Sequence, residues 1–109
     1  MKYSVLVVDD DASILEGYRR NLGQHFELYL AQGPFQGIEK LEGGPEYSVV
    51  VADMRMPEMN GIEFLKRVRA RSPLTRRIML SGDAEQSTAV DAVNLGQVSA
   101  FLSKPCPSQ

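Results

Sequence analysis

Five short runs rich in Val, Ile and Leu, at residues 3–8, 26–31, 47–52, 77–80 and 98–102, are each followed by polar or turn-forming residues, which is the signature of strands. Between them the apolar residues recur near every 3.6 positions: Ile14, Leu15, Tyr18 and Leu22; Phe35, Ile38 and Leu41; Ile62, Leu65 and Val68; Ala89, Val90 and Val93. These spacings predict four helices. Their punctuation agrees, with Gly23 after the first, Pro34 early in the second, Asn60 before the third, and Asn94 and Gly96 closing the fourth. Gly17, inside the first helix, is a local misfit. Strict alternation of strand and helix implies parallel pairing through right-handed crossovers, so helices cover both faces of one sheet. Strands one and three are almost uninterruptedly apolar, as strands buried on both faces are.

A chain of 109 residues is long enough for one domain with a substantial core. A net charge of −2 gives no general attraction to nucleic acid or to an anionic membrane, and no apolar run has the length that spans a bilayer. Direct binding to either is not expected. The opening MKYSVLVVDDD lacks the long apolar stretch and small-residue cleavage site of a signal peptide, so a cytoplasmic location is expected. The single cysteine, Cys106, has no partner for a disulfide or a Cys/His metal site, and His25 is the only histidine. The chain ends a few residues after the fifth strand, where the alternation calls for another helix. A longer parent polypeptide or a homodimer is expected to cover the sheet face left bare.

Ligands of open parallel α/β sheets bind at the carboxyl ends of the strands. Strand one ends in Asp9, Asp10 and Asp11, strand three in Asp53, strand four in Ser81, and strand five in Ser103 and Lys104. All emerge at one edge. Two unit charges about 4 Å apart repel by roughly 4 kcal/mol at an effective dielectric near 20, so such acids require a cation among them. Lys104 supplies one positive charge, and a hard divalent ion takes carboxylate oxygens, a carbonyl and waters, which makes magnesium the ion that suits this set. A carboxylate held beside a metal, a lysine and a hydroxyl is a phosphoryl acceptor by its chemistry, and Asp53, at the end of the apolar SVVVAD, is the candidate.

In order and spacing, VLVVDDD, VVADMRMPEMNG, IMLSGDA and FLSKP resemble the receiver domain of two-component response regulators, the CheY-like family, over the whole chain. The resemblance implies a flavodoxin-like, doubly wound five-stranded parallel sheet in the order 2-1-3-4-5 with five helices, of which residues 1–109 lack most or all of the last. It implies that Asp53 accepts a phosphoryl group from a histidine kinase or phosphotransfer protein. It also implies that Asp9, Asp10, Asp53 and the backbone carbonyl of Arg55 hold Mg²⁺ and that Lys104 contacts a phosphoryl oxygen. Ser81 matches the family's switch hydroxyl and Phe101 its switch aromatic; Pro57 and Gly61 match the loop after the acceptor. Such a domain turns over only its own phosphoryl group, and its change of conformation controls a C-terminal output domain or a partner. NLGQVSAFLSKPC is similar to receivers joined to HD-GYP cyclic di-GMP phosphodiesterases, so an output of that type is one expectation.

Arg55 and Asp83 depart from the commonest family pattern, each two residues beyond a site residue, and are expected to pair across the mouth of the site and slow loss of the phosphoryl group. Gly82 stands where alanine is more usual, and Phe101 brings no phenolic hydroxyl. Lys66, Arg67, Arg69, Arg71, Arg76 and Arg77 are explained by the helix dipole and by a solvated face rather than by nucleic acid. Met54, Met56 and Met59 read as gap-filling side chains rather than a partner surface. An enzymatic alternative stays open: VVDDDAS resembles the DxDx(T/V) motif of haloacid-dehalogenase-type phosphatases, with Asp9 as nucleophile and Asp11 as acid/base. Against it stand Ser13 in place of Thr or Val, the lack of room for a cap, and an Asp53 with no role. A flavin or nucleotide binder on the same fold would need a Gly-rich phosphate loop after strand one, which is missing.

Overall fold

A computed structural model describes residues 3–81, 90, 93 and 99–103, with the backbone alone at Ser81 and at 101–103. The elements are β1 (Ser4–Asp9), α1 (Ala12–Leu22), β2 (Glu27–Gln32), α2 (Pro34–Gly43), β3 (Val49–Asp53), α3 (Gly61–Arg71), β4 (Arg76–Ser81) and β5 (Ala100–Ser103). The strands form one sheet in the order β2-β1-β3-β4-β5, and every neighbouring pair is parallel. The first three expected helices and all five expected strands are present, with ends displaced by a few residues. Val90 and Val93 are helical; the remainder of the expected fourth helix, and residues 104–109 where a fifth would begin, lie outside the described residues.

The larger core lies on the sheet face under α2 and α3, where Leu6, Val8, Val50, Ala52 and Met79 meet Leu41, Phe64, Leu65 and Val68. Phe64 packs so closely that a Cβ at Gly37 would lie 2.8 Å from its ring, which is why a glycine serves α2 there. Met56 belongs to this core and Met54 and Met59 pack against it, in agreement with a packing role for the methionines. On the opposite face Val5, Val7 and Leu15 form a smaller cluster, with Val49 and Val51 only partly buried against it.

Two helix faces differ from expectation. Of the four residues assigned to the inner face of α1 only Leu15 is buried, and Ile14 is 37% exposed. In α2 Phe35 is 56% exposed while Pro34 and Gly37 face inward. Close approach to the sheet selects small residues at those positions, so the largest apolar side chain is turned out. Punctuation of the first three helices is as expected, while Asn94 and Gly96 lie outside the described residues: Gly23 closes α1 with its N–H donating to Arg19 O, and Pro34 opens α2. Asn60 and Glu63 form a reciprocal capping box at the start of α3. The basic cluster is divided by the fold. Arg71 donates through Nε to Leu41 O (3.1 Å) and through Nη2 to Glu42 O (3.3 Å), whereas Arg77 is buried and donates to Thr75 O and Pro73 O.

Candidate phosphoryl-acceptor and metal site

β1 and β3 are adjacent and in register, Val8 beside Ala52, so the next residues, Asp9 and Asp53, leave the sheet side by side. Both strands are apolar up to that point, and both carboxylates are carried in with them: Asp9 is 1% and Asp53 5% exposed. Asp10, the first residue past β1, is exposed. One carboxylate oxygen from each of Asp9, Asp10 and Asp53 lies within 4.8 Å of the others. At that separation each ionised pair repels by roughly 3–4 kcal/mol at an effective dielectric of 20. The donor set is all hard oxygen, two of its members are buried and one is open to solvent, which is the chemistry of a site for a hard divalent cation that keeps some of its water.

Backbone donors orient the two buried acids. Asp9 Oδ1 accepts from the Asp11 N–H at 2.9 Å, and Asp53 Oδ1 accepts from the Arg55 N–H at 3.3 Å. Behind Asp53 the chain is pinned twice, by Met54 N–H to Leu80 O (2.8 Å) and by Gly61 N–H to Met54 O (2.9 Å). A Cβ at Gly61 would strike the carbonyl oxygen of Asp53 and the Cα of Met54, so the start of α3 can lie against Asp53 only without a side chain. Pro57 and Asn60 then line an open depression with Asp10, Met54, Arg55 and Met56.

The third acid of the DDD run has a different job. Asp11 is the N-cap of α1, its Oδ1 accepting from Ser13 N–H (2.9 Å) and Ser13 Oγ–H (2.6 Å). It is not among the three clustered carboxylates. The β4–β5 register sets Ser81 opposite Ser103 and Met79 opposite Phe101 along the backbone. Lys104 and Asp83 lie outside the described residues, as do Gly82 and Cys106, and His25 is exposed. Sequence reasoning missed Gln32, whose side-chain amide donates to the carbonyl of Asp10 at 3.4 Å. Its only available signal was its place at the end of a strand.

Residues 5–109 match the response regulator receiver domain family. The chain belongs to that family. The receiver domain is 35% identical to the hydrogenase transcriptional regulatory protein HoxA of Bradyrhizobium diazoefficiens over 94% of its own length and 21% of that protein's. Among solved structures it is similar to one described as adenylate cyclase from Rhodopirellula baltica, with 38% identity, a TM-score of 0.95, and coverage of 99% of this chain and 80% of that one. It is also similar to the signal receiver domain of an HD domain-containing protein from Pseudomonas fluorescens Pf-5, with 29% identity, a TM-score of 0.86, and coverage of 97% and 85%. The chain spans between about a fifth and about half of the length of the curated relatives it matches, 21% of HoxA and 52% of the acid tolerance regulatory protein ActR. These relationships leave the phosphatase alternative without support; Asp11, its acid/base, caps α1, and Asp53 stands within the cluster it left unexplained.

Proposed function

We propose that the receiver domain accepts a phosphoryl group on Asp53 in a Mg²⁺-dependent reaction and passes the event on as a change of conformation. The observation that carries this reading is the convergence of Asp9, Asp10 and Asp53, from two strand ends, to within 4.8 Å. An Asp53 carboxylate oxygen attacks phosphorus in line; the new O–P bond replaces the N–P bond of a phosphohistidine, and the ring leaves with the N–P electron pair as neutral imidazole, its other nitrogen already carrying a proton. Asp9, Asp10, Asp53 and the Arg55 carbonyl would hold the Mg²⁺, which when bound offsets negative charge on the phosphoryl oxygens. Backbone hydrogen bonds hold the Asp9 and Asp53 carboxylates in fixed orientation, so the acceptor needs little reorganisation.

Lys104, directly after β5, is assigned to a phosphoryl oxygen, and Ser81 with Phe101 to the switch. The pairing of β4 with β5 supports that assignment, because it links the strands that carry Ser81 and Phe101. Arg55 and Asp83 are assigned to slowing phosphoryl loss; unchanged phosphoryl lifetime in an Arg55→Ala, Asp83→Ala double variant would remove that role. The donor is a histidine kinase or phosphotransfer protein, and the output lies in a C-terminal domain of a longer parent polypeptide or in a separate partner, with a homodimer as an alternative arrangement. The likeness to the receiver of an HD domain-containing protein supports testing an HD-GYP output first. A cytoplasmic location is assigned because that is where a histidine kinase would deliver the phosphoryl group; among the described residues no helix is long and apolar enough to cross a membrane.

Acetyl phosphate with Mg²⁺, followed by intact-mass measurement and mapping of the labelled aspartate, tests the reading. One phosphoryl group on Asp53, lost in Asp53→Asn and prevented by a chelator, is expected. Labelling elsewhere, or none on a folded parent protein, refutes it.

A further inference from the structure

Asp10 is the one clustered acid that no strand holds, and its position has to be set by the short turn between β1 and α1. The neighbouring edge strand supplies a brace. The parallel register puts Gln32, the last residue of β2, beside Asp9. Gln32 Nε2–H donates to Asp10 O at 3.4 Å, the one side-chain hydrogen bond to Asp10 among the described residues. The next residue, Gly33, donates its N–H to Asp9 O at 3.0 Å. Gly33 has φ 93°, a conformation that residues with a Cβ rarely adopt, and through it the chain turns from the acid pair into α2. The brace is itself held from α2: Gln36 Oε1 accepts the Gln32 N–H at 2.8 Å.

We infer that Gln32 is a positioning residue for the cation site, fixing the peptide after Asp10 so that its carboxylate stands beside those of Asp9 and Asp53, with Gln36 tying this brace to the N-terminus of α2. The inference rests on the reading of these acids as a Mg²⁺ site. Asp9 and Asp53 are oriented by their own backbone donors and buried by the core, so the effect falls on Asp10, and thus on cation affinity rather than on the attack by Asp53. Gln32 is exposed and contributes nothing to the core, so its replacement separates cation affinity from folding.

The test compares the parent with Gln32→Met, which keeps the side-chain length and loses the donor, by calorimetric titration with MgCl₂ and by phosphorylation with acetyl phosphate over a range of Mg²⁺. Loss of one neutral, exposed hydrogen bond predicts a Mg²⁺ dissociation constant raised roughly 2- to 5-fold, an unchanged rate at saturating Mg²⁺, and a melting temperature without the cation lowered only slightly. Gln36→Met is expected to shift affinity the same way by less. In the parent, the Gln32 side-chain amide resonances are expected to move on Mg²⁺ titration with the same midpoint as the Asp10 backbone amide, a measurement that needs no variant. Equal affinity in Gln32→Met and the parent, or Gln32 resonances unmoved by Mg²⁺, overturns the role of Gln32 and leaves the proposed function standing. A parent that binds no Mg²⁺ overturns both.

Discussion

Asp9 and Asp53 end adjacent parallel strands, and each carboxylate accepts a backbone N–H from the residue two places on, Asp11 at 2.9 Å and Arg55 at 3.3 Å. The two buried acids are thus built alike: an apolar strand carries each into the sheet edge, and the following turn aims it. What they share with Asp10 is mutual repulsion, which folding imposes by bringing the three within 4.8 Å.

With the proposed Mg²⁺ site, that repulsion makes stability depend on the cation. Adding Mg²⁺ at 100 times its dissociation constant is expected to raise unfolding free energy by about 2.7 kcal/mol, because the unfolded chain has no preformed cluster. Asp10→Asn relieves part of the repulsion while weakening the site. Urea titrations with and without MgCl₂ should therefore show a small increase in stability for Asp10→Asn without the cation and a diminished response to it. A variant that responds to Mg²⁺ as the parent does would place the cation elsewhere.

Gly61 locks α3 against Asp53. A methyl group there collides with the Asp53 carbonyl and Met54 Cα, both backbone atoms that cannot swing aside. Gly61→Ala is expected to cost roughly 1–3 kcal/mol, the range for overpacking at a tight contact, and to slow phosphorylation beyond what the lost stability explains. Denaturation midpoints together with acetyl phosphate labelling rates measure both; a variant with parental stability would show that α3 can move away from β3 at no cost.

The loop between β3 and α3 carries strain at Glu58, the one non-glycine residue with positive φ among the described residues, at 74°. Its neighbours close a tight turn, Met59 N–H donating to Pro57 O at 2.8 Å. A left-handed residue with a Cβ costs about 1–2 kcal/mol, and glycine returns part of that gain through its looser unfolded chain. Glu58→Gly is expected to stabilise the protein by about 0.5–1 kcal/mol in urea denaturation, and a loss of stability would mean that the Glu58 side chain makes contacts outweighing its backbone conformation.

The periodicities made the layer order legible because strand and helix repeats reflect burial directly. Runs such as VLVV and VVVA have no polar face to misassign, and the site acids were visible as charges at the ends of those runs. Three features were not legible, each for a geometric reason. Ile14 and Phe35 have the spacing of inner-face residues, yet the helices approach the sheet through Leu15 and through Pro34 and Gly37. Within the DDD run, sequence treats the acids alike; only the direction of the turn separates Asp9 and Asp10, at the cluster, from Asp11, on the helix end. The Gln32–Asp10 contact joins different strands, and no local pattern records such a pair.

Away from the site, Tyr47 is 3% exposed, its ring edge-on to Tyr29 at 5.3 Å and its hydroxyl donating to Lys40 O at 3.0 Å. Burial, reinforced by Tyr29, pushes the Tyr47 phenol above its ordinary value. A phenol whose folded pKa is raised holds its proton more tightly in the folded protein, so its contribution is intact below the unfolded pKa near 10 and is lost as pH rises through that value toward the folded one. Tyr47→Phe removes the titration and the hydrogen bond together. It is therefore expected to lower stability by about 1 kcal/mol at pH 7, where the phenol is neutral in both states, and to flatten the loss of stability above pH 10. Urea denaturation of parent and variant between pH 7 and 11 should give curves that converge at the alkaline end, because only the parent loses the stability tied to the Tyr47 proton. Parallel curves across that range would mean that Tyr47 ionises as readily in the folded protein as in the unfolded chain.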